Sequence, residues 1–193
     1  MNELFWKICF LLLFLTWVSV RVYYGKKAAV QKTKEKIRPR LESGLVGLNF
    51  IGMMLLPLIT VFTPFLDAYT VPVPDPVRFA FLIITTFNIW LFAMIHRDLG
   101  GNWSPILEVK KGHHLVKTGA YKRIRHPMYV HLWIWVIAQG FLLANGLVLI
   151  YGIAAWGLLY HIWVPKEEDM LIAEFGDEYR DYMKNTGRVV PKF

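Results

Sequence analysis

The sequence predicts an all-α integral membrane protein that crosses the bilayer with about five helices and finishes with a helical hairpin. Three observations lead to this fold class. Residues of the AVILMFWYC set make up 55% of the chain, the mean hydropathy is +0.38, and charged residues fall between long apolar runs. A soluble domain of 193 residues cannot bury that much apolar surface, whereas a lipid bilayer solvates it.

The first apolar run extends from Leu4 to Tyr24, with Lys7 and Arg21 near its ends. A bilayer core about 30 Å thick requires about 20 residues of helix, so this run is long enough to cross it. A cleaved signal peptide is the alternative, and it is disfavoured because the run lacks a clear small-residue cleavage site.

The second apolar run, from Ser43 to Phe65, follows a basic stretch at residues 26–40. Such a stretch is typical of a segment held at anionic lipid head groups. The glycines of the run allow neighbouring helices to approach closely. Pro57 has no amide hydrogen to donate, so we expect a kink in this helix.

The third apolar run spans Val77 to Leu99 and is preceded by a proline-rich turn at residues 67–76. The last apolar block, Pro127 to Val164, contains no Lys, Arg, Asp or Glu. Asn145-Gly146 near its middle predicts two helices joined by a turn. Each helix is short for a bilayer, so we expect tilt or local thinning. The charged tail from Pro165 onward is expected to be partly helical and to lie outside the lipid.

The positions of lysine and arginine predict the topology. Eight lie in residues 21–40, seven in 97–125 and five in 166–192, which leaves only Lys7 and Arg78 of the 22. An odd number of spans places all three clusters on one side, which the positive-inside rule makes cytoplasmic. We therefore expect an external N-terminus, a cytoplasmic C-terminus, three spans in residues 1–99 and the chemically active half in residues 100–193.

Several functional classes are disfavoured by the sequence. The net charge of +8 does not indicate nucleic-acid binding, because the basic residues are interrupted by apolar runs. The single cysteine, Cys9, excludes an intrachain disulfide. No metal site is expected, because His126 and His131 are five residues apart around Pro127, whereas zinc-binding helices place histidines at i and i+4. Glycine-rich nucleotide-binding motifs do not occur in the sequence.

Two polar segments flank the last apolar block and hold the candidate functional residues. Their sequences are GHHLVKTGAYKRIRHPMY at 112–129 and PKEEDMLIAEFGDEYRDY at 165–182. Two helices joined by a turn return the chain to its starting face, so both segments should lie at one membrane surface. Their imidazoles, guanidinium groups, carboxylates and tyrosines together suit a cationic cofactor beside an anionic substrate. Singly, an interfacial tyrosine or arginine is more typical of a membrane anchor.

These segments resemble the isoprenylcysteine carboxyl methyltransferases, whose broader relatives include phospholipid amine methyltransferases. The first part of the resemblance consists of His114-Leu115-Val116, Gly119-Ala120-Tyr121 and Arg125-His126-Pro127-Met128-Tyr129. The second part consists of Glu167-Glu168, Leu171, Phe175-Gly176, Glu178-Tyr179, Tyr182 and Pro191. The resemblance extends from Gly101 to the end of the chain, and the first hundred residues are similar only as hydrophobic spans.

The resemblance implies S-adenosylmethionine as cofactor, bound without a Rossmann domain and converted to S-adenosylhomocysteine. It also implies methylation of the C-terminal carboxylate of a prenylated cysteine, on a molecule or protein anchored in membrane lipid. A carboxylate at the position of Glu167 would attract the sulfonium or ammonium charge of the cofactor. By resemblance, the cofactor-binding residues are His113, His114, Leu115, Val116, Tyr121, His126, Pro127, Met128, Tyr129 and Glu167.

One position departs from the family pattern. Four residues before Glu167 the family generally has an arginine that engages the substrate, and this chain has Trp163. An indole cannot form a bidentate charged contact with a carboxylate. Arg125 or His161 could replace that contact, so Trp163, Arg125 and Glu167 are the candidate catalytic positions. The alternatives are another lipid acceptor, such as a phospholipid amine, and a non-catalytic membrane protein.

Overall fold

The computed structural model describes residues 2–29, 33–36, 40–103, 108–110 and 114–192. The α-helices are α1 (Glu3–Ala29), α2 (Arg40–Phe50), α3 (Leu56–Phe62), α4 (Asp75–Leu99), α5 (Pro127–Leu142), α6 (Gly146–Phe175) and α7 (Asp177–Asn185). A π-helical segment, Ile51–Leu55, joins α2 to α3. Short 3-10 helices lie at Asp67–Tyr69, Gly100–Asn102 and Gly119–Lys122, and the two strands are β1 (Thr33–Lys36) and β2 (Glu108–Lys110).

Four described helices are long and apolar enough to cross a bilayer, namely Glu3–Ala29, Ser43–Phe62, Asp75–Asn102 and Gly146–Phe175. The remaining apolar helix, α5, has 16 residues. At ~1.5 Å per residue it is about 24 Å long, which is less than a bilayer core of about 30 Å. The expected helical membrane architecture is confirmed, but by length only four helices qualify where the sequence predicts about five spans.

Pro57 changes the hydrogen-bonding pattern of the second long helix. The Leu56 amide donates to the carbonyl of Ile51, five residues back, which defines the π-helical segment. The next carbonyl, that of Gly52, would face the nitrogen of Pro57, which carries no hydrogen. The Gln139 side chain of α5 donates to this carbonyl instead, at 2.8 Å. The structure thus shows a π-helical segment and a contact with α5 at the proline, and the expected kink stays a prediction.

A short turn connects α5 to α6 and is fixed by Asn145. The Asn145 side-chain oxygen accepts a hydrogen bond from the Val148 amide at 3.1 Å, which caps α6. Its side-chain nitrogen donates to the carbonyl of Leu66 at 2.9 Å. The two helices pack against each other, and α5 also packs against α4.

The helix α6 does not end with the apolar block. The sequence places the end of that block at Val164, but α6 continues through Pro165 to Phe175. A proline removes one backbone hydrogen bond from a helix interior without always ending the helix. Trp163 and Glu167 therefore lie on one continuous helix, a single turn apart.

Three helices meet in a buried aromatic cluster. The Trp17 indole of α1 stacks on Trp135 of α5, with ring centroids 4.9 Å apart, and on Phe92 of α4 at 5.9 Å. Trp17 Nε1 donates to His131 Nε2 at 2.9 Å. The side-chain nitrogen Nδ2 of Asn88 donates to the backbone carbonyl of His131 at 3.1 Å. His131 is thus held by bonds to Trp17 and Asn88 within the protein, whereas Trp135 Nε1 and Asn88 Oδ1 have no partner among the described residues.

A small antiparallel ladder pairs β1 with β2. Thr33 lies opposite Lys110, and Lys36 lies opposite Glu108. The ladder brings together two of the three basic segments. These strands are not predicted from the sequence, because they are short and polar and show no apolar alternation.

Candidate active site

The C-terminal segment is hydrogen-bonded to the residues that precede α5. The Arg125 amide donates to the carbonyl of Gly187 at 2.9 Å, and the His126 amide donates to the carbonyl of Arg188 at 3.0 Å. Arg125 Nη1 donates to the carbonyl of Thr186 at 2.7 Å. The polar segment before α5 and the end of the chain therefore form one unit.

The 3-10 turn that contains Tyr121 is fixed at both sides. The Asp98 carboxylate accepts a hydrogen bond from the Ala120 amide at 3.0 Å. Gly119 has a φ of 58°, and a Cβ at this position would collide with the Asp98 carboxylate, so only glycine fits. On the other side, the Tyr182 hydroxyl donates to the carbonyl of Tyr121 at 2.5 Å. These contacts determine where the Tyr121 ring lies.

One face of α6 is directed at this unit. Side chains on that face recur at spacings of three and four residues, as expected for one side of a helix. Because α6 continues through Pro165, the apolar part of the face and the part that carries a carboxylate form one surface. The cavity-lining residues on it are Trp156, Leu159, Trp163, Glu167, Met170 and Leu171.

A cavity of about 270 Å³ lies between this face, the polar segment before α5 and the first helices. It gathers most of the residues that the sequence analysis assigns to the site. The predicted residues that line it are His114, Leu115, Val116, Tyr121, Arg125, His126, Met128, Tyr129, Trp163 and Glu167.

Two predicted residues are not among the described residues that line the cavity. Pro127 is buried in the first turn of α5, where its fixed φ suits the start of a helix. Its placement indicates a structural role in orienting Met128 and Tyr129. His113 lies outside the described residues.

Glu168 is the buried member of the glutamate pair, with 5% of its side chain exposed. Arg125 Nε donates to its Oε1 at 2.7 Å, and His126 Nε2 lies 3.2 Å from the same oxygen. Arg188 Nε also donates to Oε1 at 3.1 Å, while its Nη2 donates to Oε2. The bond to Glu168 raises the pKa of Arg188. Glu168 thus ties α6 to the segment before α5 and to the tail.

Glu167 faces the cavity instead. Its side chain is 27% exposed, and its Oε2 accepts a hydrogen bond from the Tyr129 hydroxyl at 2.6 Å. His126 Nδ1 lies 3.8 Å from the same oxygen. Glu167 therefore presents a carboxylate to the cavity in an orientation held by Tyr129.

Three buried tyrosines around the cavity remain protonated well above neutral pH. Burial raises the pKa of Tyr182 to about 12. It also raises the pKa of Tyr121, with a further contribution from the charge of Glu167. The pKa of Tyr179 is raised by burial and then by the charge of Glu168. All three hydroxyl groups can therefore donate hydrogen bonds.

Five buried polar atoms on cavity-lining residues have no hydrogen-bond partner within the part of the chain that the structure describes. An unsatisfied buried polar atom costs about 1–3 kcal/mol, so folded proteins contain few of them. Five further such atoms lie elsewhere in the described chain, whereas the five on the cavity wall are placed where a bound ligand would complete the missing bonds. The atoms on the cavity wall are Asn49 Oδ1, Asn102 Oδ1, Trp156 Nε1, Trp163 Nε1 and Tyr179 Oη.

The histidines of this region have separate surroundings. A ring nitrogen of His114 lies 3.3 Å from Asn102 Nδ2, whereas His126 lies beside Glu168 and His131 is in the aromatic core. Within the described ranges, no group of three or more His, Cys, Asp or Glu side chains could hold a metal ion.

The first half of the chain also contributes to the cavity, which the sequence analysis does not predict. Arg21 and Asn49 lie within or at the end of apolar runs, where a polar side chain is costly and often functional. That signal is present in the sequence but does not indicate which cavity they face. The first-half residues that line it are Trp17, Arg21, Val46, Asn49, Met53 and Leu99.

The chain matches the model of the isoprenylcysteine carboxyl methyltransferase (ICMT) family over residues 79–173. The resemblance predicted from the sequence is confirmed. The match begins within α4, earlier than the expected start at Gly101, and it ends at residue 173, so the expected motif residues from Phe175 to Pro191 lie outside it. It includes the segment before α5 and the glutamate pair of α6.

Proteins named protein-S-isoprenylcysteine O-methyltransferase are similar to this chain. The protein of Dictyostelium discoideum is 30% identical over 123 residues, which are 56% of this chain and 52% of that protein. The protein of Saccharomyces cerevisiae is 36% identical over 94 residues, which are 48% of this chain and 39% of that protein. The chain thus spans about half the length of these relatives or less.

A solved structure is similar as well. It is that of the eukaryotic intramembrane Ras methyltransferase ICMT, with a TM-score of 0.54 and 25% sequence identity. The similarity covers 80% of this chain and 53% of that one. It therefore extends beyond the segment that the family model matches.

Proposed function

We propose that this chain is a membrane-embedded methyltransferase that esterifies the C-terminal carboxylate of a prenylated cysteine, with S-adenosylmethionine as methyl donor. One observation carries the proposal. A single cavity contains residues of both family motifs, the carboxylate of Glu167 and several unpartnered polar atoms. Similarity to proteins of this named activity supports the choice of reaction.

The residues around the cavity suit S-adenosylmethionine. Glu167 provides the negative charge that a sulfonium or ammonium group requires. The side-chain oxygens of Asn49 and Asn102 can accept hydrogen bonds from amino or hydroxyl groups. Leu115 and Met128 provide apolar surface for an adenine ring. Together, the carboxylate, the acceptor oxygens and the apolar side chains suit a cofactor that is positively charged at one end and aromatic at the other.

When bound, S-adenosylmethionine supplies an electrophilic methyl group, and transfer to a carboxylate oxygen gives a methyl ester and S-adenosylhomocysteine without release of a proton. A C-terminal carboxyl group has a pKa of about 3.5, so it is already ionised at neutral pH. The chain therefore needs no general base. Its contribution is to align the acceptor and to exclude water, and the large indoles of Trp103, Trp156 and Trp163, which all line the cavity, suit that task.

The proposal includes a topology in which the cavity and the C-terminus are cytoplasmic and the N-terminus is external. The β1–β2 ladder joins the first basic segment to the second. Backbone bonds from Arg125 to Gly187 join the second to the third. Three adjoining basic segments favour one cytoplasmic face, and all five apolar helices, including α5, then cross the bilayer. A prenylated acceptor would reach the cavity from the membrane that anchors it.

Methyl transfer from labelled S-adenosylmethionine to N-acetyl-S-farnesylcysteine, with the full chain purified in detergent, tests the proposal. We expect label on the analogue that is released by mild base, because carboxyl methyl esters are base-labile. The amide of the same analogue is the matched control and should remain unlabelled. Base-stable label on an added phospholipid amine, with none on the cysteine analogue, would contradict the proposed acceptor.

A further inference from the structure

Arg21 extends into the cavity from α1, outside the segment that matches the family model. Its guanidinium carbon lies 4.5 Å from the centre of the Trp103 ring, which also lines the cavity. In the described part of the chain, Arg21 has no ion pair and no hydrogen bond. A cation on a largely apolar wall is costly without a counter-charge. Arg21 therefore brings to the cavity a positive charge that is not paired with a carboxylate of the described residues.

The other arginine on the cavity wall is already engaged. Arg125 Nε lies 2.7 Å from Glu168, with only 11% of the Arg125 side chain exposed. Its Nη1 donates to the carbonyl of Thr186. Arg125 thus holds the tail in place, and a substrate could recruit it only by breaking a buried ion pair, which costs about 3–5 kcal/mol.

His161, the second substitute that the sequence suggests, points elsewhere. Its side chain is exposed, and its Nδ1 lies 2.8 Å from the carbonyl of Gly157 one turn earlier on α6. It is not among the described residues that line the cavity. Arg21 is therefore the cavity-lining cation that has no ion pair or hydrogen bond among the described residues, and its contact is with the Trp103 ring.

We propose that Arg21 binds the carboxylate of the acceptor and so performs the recognition that the indole of Trp163 cannot perform. The cavity then presents two opposite charges, with Glu167 for the cationic donor and Arg21 for the anionic acceptor. A planar guanidinium matches a carboxylate through two parallel hydrogen bonds. This inference rests on the proposed function and makes Arg21 the residue that selects a lipid-linked carboxylate over a lipid-linked amine.

Competition binding tests the inference without relying on turnover. The probes are N-acetyl-S-farnesylcysteine and its neutral amide, each measured on the full chain in detergent, with S-adenosylmethionine affinity measured in parallel. We expect the unmodified chain to prefer the acid by about ten- to a hundredfold, the range for a hydrogen bond to a charged group. In Arg21→Gln the preference should fall to about onefold, while the cofactor affinity stays within about twofold. Arg21→Lys should retain part of the preference for the acid, because it keeps the positive charge but loses the planar pair of donors that matches a carboxylate.

Lys27→Gln is the matched control, because Lys27 is exposed on the same helix and does not line the cavity. It should leave the preference for the acid unchanged. The cofactor also carries a carboxylate, so a lower cofactor affinity in Arg21→Gln with the acid preference intact would assign Arg21 to the cofactor and overturn the inference. An equal loss of affinity for acid and amide would indicate a purely structural role and overturn it too. Selective acid binding without any methyl transfer by the unmodified chain would contradict the proposed function while leaving the binding role of Arg21 standing.

Discussion

Glu167 and Glu168 are neighbours in sequence but meet different partners, because consecutive helix side chains point about 100° apart. Glu168 is enclosed by Arg125, His126 and Arg188, so its charge is compensated within the protein. Glu167 accepts one hydrogen bond from the Tyr129 hydroxyl and faces the cavity. A buried compensated carboxylate stabilises structure, whereas a cavity carboxylate attracts a cation.

Substitution of Glu167 by Gln should therefore weaken cofactor binding with little effect on stability. Loss of one charged contact corresponds to about 1.5–3 kcal/mol, so we expect the Kd for S-adenosylmethionine to rise about tenfold or more. Isothermal titration calorimetry in detergent measures the Kd, and a thermal scan measures the Tm.

Glu168→Gln is the matched control and should show the opposite pattern. It leaves the guanidinium groups of Arg125 and Arg188 without a full counter-charge, so the Tm should fall. A Glu167→Gln variant with unchanged cofactor affinity would remove Glu167 from the site.

Trp163→Arg introduces the arginine that the family pattern expects at this position and tests whether it raises the turnover of this chain. Trp163 is buried and lines the cavity. We expect no gain in turnover on a farnesylated cysteine, because Arg21 already provides a cation. An arginine four residues before Glu167 can also pair with it on the same helix face and reduce the charge available to the cofactor. Steady-state kinetics with both substrates decide the matter, and a clear rise in kcat would show that position 163 limits catalysis.

The 3-10 turn before α5 depends on a glycine for two separable reasons. Gly119 has a positive φ of 58°, and its missing side chain leaves space for the Asp98 carboxylate. Gly119→Ala should therefore cost more than the roughly 1–2 kcal/mol of a left-handed backbone alone. It should also displace Tyr121 and raise the Kd for the cofactor.

Gly176→Ala is the matched control for that prediction. Gly176 has the same φ of 58°, but a Cβ there meets no atom within 4 Å. This variant should show only the backbone cost, as a small drop in Tm without a change in cofactor affinity. Equal effects of the two substitutions on Tm would mean that the Asp98 contact contributes nothing.

The helix α6 shows why a boundary in the sequence need not be a boundary in the structure. Hydropathy changes at Pro165, and a proline there suggests the end of a helix. The helix nevertheless continues to Phe175. Beyond the proline, Glu168 bonds to Arg125, in the segment before α5, and to Arg188, in the C-terminal tail. Those tertiary contacts stabilise the helix beyond the proline, and no sequence window includes them.

The apolar runs predict the long helices closely, because the bilayer imposes the length of each span. The third run is expected to end at Leu99, and α4 ends there. The motifs of the second half likewise predict about half of the cavity wall, since the turn between α5 and α6 brings both motifs to one membrane face. Within the last apolar block both helices are expected to be short, and α5 is short because Pro127 begins it and the turn at Asn145 follows it. The exception is α6, which continues beyond the block to Phe175.

The contribution of the first half could not be predicted in the same way. Arg21 at the end of an apolar run is equally typical of a topology signal, and Asn49 is one polar residue among many apolar ones. Only the packing of α1 and α2 around the second half places both side chains on the cavity wall. Tertiary neighbours, rather than local patterns, decide their roles.

Arg78 is one of two basic residues outside the three basic clusters, and it joins three helices at the end of the molecule opposite the cavity. Its side chain is 3% exposed, and Nη1 lies 2.6 Å from the Glu3 carboxylate of α1. Nε and Nη2 donate to the carbonyl of Leu142 at the end of α5, at 3.2 and 2.8 Å. The guanidinium carbon also lies 4.7 Å from the centre of the Trp6 ring. The Arg78 side chain therefore provides the hydrogen-bond donors for a carbonyl at the end of α5, and it links α1, α4 and α5.

Arg78→Met should destabilise the whole protein while leaving its binding properties intact. The carbonyl of Leu142 loses its donor, which costs about 1–3 kcal/mol and lowers the Tm of a chain of this size by roughly 2–12 °C. Glu3→Gln should have a smaller effect, because the Glu3 side chain is 58% exposed and an exposed partner contributes little. Thermal scans and cofactor titrations of both variants distinguish stability from function. If Arg78→Met kept its Tm but lost cofactor affinity, the two ends of the molecule would be coupled, and the division between a structural end and a binding end would be wrong.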